Sequence, residues 1–239
     1  IKMLELRGRE IGAPQRGSIE GCWSINGEPA RFFLRDARIL GVMGTDPILY
    51  LDGTASERTY AFAWSRGPLR GQAMLTVSPD GQHLSGMQWH EEVEVDHVGD
   101  TWYGERAPCS EALTLHGTEV ALMFLRQSSY YPLYALRFDA EDRLDEAASK
   151  ELLDLVSYIV AGSKGKRFEV IAREFRHDAA TNRAIARKRV DAVRAALERR
   201  KVDMTRVGFV AAGDRNPRII PINATLHATH NVVDLKIAQ

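Results

Sequence analysis

The chain has 239 residues, room for one large domain or two ordinary ones, and its 44% hydrophobic content suits a protein that buries a real core. Lys plus Arg equals Asp plus Glu at 32 each, so no whole-chain field draws it to nucleic acid or anionic lipid. No apolar run approaches the roughly 20 residues of a membrane-spanning helix, and the opening "IKMLELRGREIG" is charged throughout, unlike a signal peptide.

Residues 17 to 110 alternate and are punctuated by glycine. "SIEGCWSI", "ARFFLR", "RTYAFAWS", "GQAMLTVS", "HLSGMQWH", "VEVDH" and "DTWYGER" read as short strands separated by "NGEP", "SRGP", "SPDGQ" and "HVGD". "SPDG" is a type I turn signal, with Pro79 setting φ and Gly81 free to take a positive φ. The stretch predicts an antiparallel all-β domain, a sandwich or a small barrel. Its four tryptophans, Trp23, Trp64, Trp89 and Trp102, are either core residues or the lining of a ligand cleft.

Cys22 and Cys109 bracket this stretch, and no C-x-x-C spacing is present to suggest zinc or thioredoxin chemistry. Either they pair, closing a loop long enough to stabilise by roughly 4–5 kcal/mol in an oxidising compartment, or they are two unrelated buried thiols. His83, His90 and His97 recur at an odd spacing that puts neighbours on opposite faces of a strand, so they predict no metal site. The acidic alternation "EEVEVD" at 91 to 96 reads as a solvated strand face.

A boundary is expected near residue 128, giving a β-rich domain over 1–128 and a second domain over 129–239. "EALTLHGTEVALMFLRQSSYYP", 111 to 132, predicts a strand followed by a polar, tyrosine-bearing linker. Beyond it, "LYALRFD" predicts a strand and "EAASKELLDLVSYIV" a helix with one buried face. "RFEVIA" predicts a strand, and "AATNRAIARKRVDAVRAALERR" a long helix with Ile185, Val190, Val193 and Leu197 on one stripe, opposite an arginine-rich face. "RVGFVAA" and "NVVDLKI" close the chain as strands, an α+β order of β-α-β-α-β-β with two helices on a sheet.

"GSKGKR" lacks P-loop spacing and leads into a strand, so it is a loop. The basic "RKR" and "ERRK" lack aromatic interleaving and read as a solvated helix face, not a nucleic-acid footprint. "HATH", with His227 and His230, has no third ligand nearby. No G-x-S-x-G elbow surrounds a serine, and no nucleophile-base pair stands out. No enzymatic activity, metal or cofactor is expected.

Glu174 falls near the end of the "RFEVIA" strand, Asn182 eight residues later, and Arg189 two turns into the helix. "Phe138-Asp139", the Glu174-to-Asn182 spacing, "Ile185-Ala186" followed by "Arg189-Val190", and "VGFVAAGDRNP" with Gly213, Asp214 and Pro217 all stand in register with one family. Over residues 133 to 237 the chain resembles the OmpA-like C-terminal domain, which Gram-negative envelope proteins use to hold peptidoglycan. The resemblance implies that Glu174 stands at the family's aspartate and takes an ammonium of diaminopimelate. Arg189 would take its carboxylate in a fork geometry, with Asn182 and helix N-terminal amides beside it.

The chain departs from the family at Ile171, Ala172 and Arg173, which stand where the family has Gly-His-Thr, and at His230 to Asp234, where a supporting arginine becomes a valine. Arg173 is expected to repel an ammonium or to pair with Glu174. Glu174 therefore also reads as an ordinary surface carboxylate paired with a neighbouring arginine, worth about 0–1 kcal/mol.

The function these residues predict is a non-catalytic cell-envelope module, with peptidoglycan or an envelope protein as partner. The resemblance places it in the periplasm, with outer-membrane association as one option, and adds weight to the Cys22–Cys109 disulfide. The alternative is a protein-protein adaptor of an envelope or secretion complex whose peptidoglycan site has decayed.

Overall fold

The computed structural model describes residues 17–35, 38–90, 99–110, 117–133, 136–175, 177–215 and 233–238. The expectations for 91 to 96, His97, Pro217, His227 and His230 lie outside the described residues. The chain divides into two compact units, 1–128 and 129–239.

The first unit is a closed antiparallel barrel of eight strands in chain order. They are β1 (Gly21–Ile25), β2 (Glu28–Arg35), β3 (Arg38–Met43), β4 (Leu49–Ser56), β5 (Thr59–Arg66), β6 (Leu69–Val77), β7 (His83–His90) and β8 (Asp100–Arg106). Each pairs with the next, and the barrel shuts where β1 meets β8, with Trp23 opposite Arg106 and Ile25 opposite Gly104.

Alternation decides which side chains fill it. Trp23, Ile25, Phe32, Ile39, Leu51, Phe62, Trp64, Leu75 and Leu84 form one contiguous core, and eight strands enclose a space that side chains alone can fill. Three tryptophans, Trp23, Trp64 and Trp102, are buried in that core, while Trp89 is half-buried. The cleft-lining reading gives way to the core one for those three.

Close approach makes Gly41 necessary, because a Cβ there would come within 2.7 Å of the Phe32 ring. The turn at Ser78 forms as its residues dictate. Gly81 takes φ 73° and its N–H donates to the Ser78 carbonyl at 2.9 Å.

Strands β3 and β4 match none of the expected strand runs. "RILGVM" is buried at every position, so it carries no polar alternation to reveal it. Where a strand and then a polar, tyrosine-bearing linker were expected in 111 to 132, residues 111–116 lie outside the described residues, Gly117–Ser128 form a helix, α1, and Tyr130–Pro132 form a strand. Val120, Ala121, Phe124 and Leu125 are buried at the spacing of one helix face. The helix packs against β4, β5 and β6, and Gln127 accepts a hydrogen bond from the Ser65 hydroxyl at 2.9 Å.

The second unit is a four-stranded mixed sheet in the order β11-β10-β12-β9. Its elements are β9 (Tyr130–Pro132), α2 (Lys150–Gly162), β10 (Phe168–Arg173), α3 (Ala179–Arg199), β11 (Val207–Gly213) and β12 (Val233–Ile237). β10 runs parallel to β11 and antiparallel to β12, and β12 antiparallel to β9. Helix α3 lies against β10 and β11, with α2 beside it.

The expected fold class is corrected here. Among the described residues the structure is a closed eight-stranded barrel plus a small mixed sheet, with three α-helices and one short 3-10 helix, and an OmpA-like domain is not shown. Of the strand expected at "LYALRFD", residues 134 and 135 lie outside the described residues, and 136–139 form no strand beyond one isolated bridge at Phe138. Pairing with β12 uses Tyr130 to Pro132 and ends as the Leu133 amide donates to the Val233 carbonyl at 2.7 Å. The chain then folds into a tight turn that a single bridge, Phe138 to Leu144, holds closed.

A disulfide joins Cys22 to Cys109 with an S–S distance of 1.96 Å across a separation of 87 residues. It ties β1 to the chain leaving β8, reinforcing the barrel seam. Replacing Cys22 and Cys109 with serine is expected to lower the unfolding free energy of the barrel by about 3–5 kcal/mol, read by urea denaturation beside the oxidised parent.

Candidate functional site

Glu174 continues the phase of Phe168, Val170 and Ala172, the face of β10 that is buried throughout. One residue past the strand, it carries that inward direction with it and is 0% exposed. On α3, Asn182, Ala186, Arg189, Val190, Val193, Ala196 and Leu197 are buried at helical spacing. Arg189 thus belongs to the stripe that packs on the sheet, not to the arginine-rich outer face. Strand end and helix stripe bring the two charges together.

They meet directly. The Arg189 Nη2 lies 3.1 Å from a Glu174 carboxylate oxygen, and the other oxygen accepts from the Phe175 amide at 2.8 Å. The pair is sealed, with side-chain exposures of 7% and 0%, so the solvated surface pair is corrected to a buried one. A second carboxylate completes it. Arg189 Nε and Nη2 both converge on Oδ1 of Asp142, at 2.9 and 2.8 Å. Nη1 reaches the Arg173 carbonyl at 3.4 Å, and the guanidinium carbon sits 5.5 Å from the Phe138 ring centroid.

Asp142 is presented by the tight turn after Phe138. The Asp139 carboxylate accepts from the Glu141 and Arg143 amides and from Arg143 Nε. The Asp142 amide donates to the Asp139 carbonyl, and Asp142 takes φ 60°, a conformation aspartate tolerates better than most residues. The Arg143 amide, with the Arg143 guanidinium behind it, holds the Asp139 carboxyl below its ordinary value.

Asn182 faces inward too, but its partner is the backbone. Its side-chain amide donates to the His177 carbonyl at 2.7 Å and accepts from the His177 amide at 3.0 Å. It fixes the loop between β10 and α3. The helix N-terminal amides of Ala180 and Thr181 already donate to the Asp178 side chain, the ordinary N-cap arrangement. Arg173, expected to repel an ammonium or to pair with Glu174, has a partner on another strand. It pairs with Asp234 on β12, both largely buried.

Chemically, the assembly is a buried guanidinium held by two carboxylates, with a second ion pair beside it. The resemblance implies a zwitterion clamp open to a ligand, whereas here Glu174 pairs with Arg189 and is 0% exposed. Sequence reasoning missed Asp142, whose turn gave no periodic signal, and Asp234, which was noted only as a departure from a motif. Arg189's place on the buried stripe was legible in its spacing from Asn182, Ala186 and Val193. Elsewhere, His83 is exposed and the His90 ring meets Trp64 edge-on at 4.9 Å.

Ion pairs also hold the far end of α3. Arg199 and Arg200 reach Glu146, and Arg200 reaches Asp154 at 3.1 Å. Hydrogen bonding from Arg199 pulls the Glu146 carboxyl below the ordinary 4.5. Burial pushes Asp154 upward, but Lys150 and Arg200 outweigh it and lower it on balance.

A carboxylate lowered on folding stabilises above its unfolded pKa, and that stability is lost as pH falls toward the folded value. The second unit is therefore expected to lose stability as pH drops below 4.5. Glu146→Gln should make the fall in urea midpoint between neutral and acid pH shallower, modestly so because the pair is partly solvated. Arg189→Ala strands a buried Glu174 without its guanidinium and is expected to cost about 3–5 kcal/mol, read by urea denaturation at neutral pH.

No protein-family model matches the chain, and no curated protein matches it. Among solved structures, a MotB-like protein from Desulfovibrio vulgaris is similar to it with a TM-score of 0.41 and 10% identity. The match covers 46% of this chain and 73% of that one, and a likeness this weak shows no family.

Proposed function

We propose that the chain is a non-catalytic module of the cell envelope whose second unit binds peptidoglycan through Arg189, with Glu174 as the arginine's internal counter-charge. The observation that carries this reading is the convergence of the end of β10, the buried stripe of α3 and the Asp142 turn on one guanidinium. A guanidinium fixed on a rigid helix is suited to a carboxylate, which peptidoglycan stem peptides carry. The Cys22–Cys109 disulfide supports an oxidising compartment. Among the described residues no helix is long and apolar enough to cross a membrane.

A second reading, an adaptor for an envelope or secretion complex, is favoured by the Arg173–Asp234 pair and by the burial of Glu174, both of which remove elements of an ammonium pocket. Co-sedimentation with isolated peptidoglycan separates the two. The full chain is expected to pellet with the sacculus and Arg189→Lys, which keeps the charge but loses the fork, to stay in the supernatant with an unchanged circular dichroism spectrum. A parent protein that stays in the supernatant would leave the adaptor reading.

A further inference from the structure

The three partners of Arg189 are not equivalent. Glu174 is part of the core, with its side chain at 0% exposure, and the Arg173 carbonyl belongs to the sheet. The Asp142 side chain is 15% exposed, on a turn that the isolated bridge from Phe138 to Leu144 closes. The turn's internal bonds run among Asp139, Glu141, Asp142 and Arg143. Its shape thus depends on itself, and withdrawing the Asp142 carboxylate from the helix breaks none of them.

The contact is also poorer than a carboxylate can make. Two guanidinium N–H groups share the single oxygen Oδ1, whereas an unconstrained carboxylate offers one oxygen to each in a parallel fork. Replacing Asp142 by such a group keeps one guanidinium against two carboxylates, so no additional charge is buried. The exchange selects for an anion alone, since Glu174 is sealed and Arg173 is engaged by Asp234.

We propose that Asp142 is a built-in surrogate ligand: it occupies the carboxylate seat on Arg189, and the site takes the terminal carboxylate of a peptide, without an ammonium partner, by displacing it. This rests on the reading of Arg189 as a binding residue and names the part of the ligand that it grips. The occupied state lowers apparent affinity by the fraction of molecules whose turn is closed.

The test is a nuclear magnetic resonance titration of the full chain, following the arginine Nε–H signals. The probes are N-acetylglycine, a carboxylate without an ammonium, and glycinamide, an ammonium without a carboxylate. Asp142→Ala is expected to bind N-acetylglycine at least about tenfold more tightly than the parent. Glycinamide should bind neither, and Arg189→Lys should lose the response. Asp142→Asn, which keeps the size of the turn residue, should follow Asp142→Ala and covers the case in which alanine disturbs the turn.

Equal or weaker N-acetylglycine binding by both Asp142 variants would overturn the exchange, as would glycinamide competing for the site. Tighter binding in the variants with no sedimentation on peptidoglycan would keep the exchange and remove the peptidoglycan reading. Arg189-dependent sedimentation with equal anion affinities would do the reverse.

Discussion

The second unit depends on one buried guanidinium. Arg189 joins the sheet end at Glu174, the sheet backbone at Arg173 and the turn at Asp142, elements far apart in sequence. A charge in this position is expensive to bury unless matched, and two carboxylates and a carbonyl match it. The constraint is mutual, since Glu174 would be as costly without Arg189. What looks from the sequence like a ligand clamp is therefore first a device for bringing strand, helix and turn to one point.

A residue that supports the fold and also grips a ligand cannot be probed by deletion alone, because loss of binding and loss of structure arrive together. The inequality among Arg189's partners separates the two roles. Glu174 is inside the core and serves the fold, whereas the Asp142 side chain is 15% exposed, on a turn with hydrogen bonds of its own.

How much of this was legible follows from what periodicity reports. The helix α3 and strand β10 declared themselves by spacing, and Glu174, Asn182 and Arg189 were singled out from positions in register. Their burial was not read, because Arg189 was assigned by residue type to a charged face although its spacing from Asn182, Ala186 and Val193 fits the buried one. Asp142 had no signal, since a tight turn is set by a few local hydrogen bonds. Strand β3 was missed because both its faces are covered, and α1 because the six apolar residues from 120 to 125 run without a break, a pattern that a short strand and a buried helix share. The fold-family expectation rested on short landmarks, and landmarks do not specify how a sheet begins or how a barrel closes.

β1 and β8 are held by three register pairs and by the Cys22–Cys109 bond that spans the intervening strands. A protease that nicks a single hairpin between those cysteines would release no fragment: both pieces would stay covalently joined, and the hydrogen-bonded ladder would hold them in place. In a compartment rich in peptidases, such a unit would outlast cuts that dismember an unbridged barrel, parting only once a reductant acts as well.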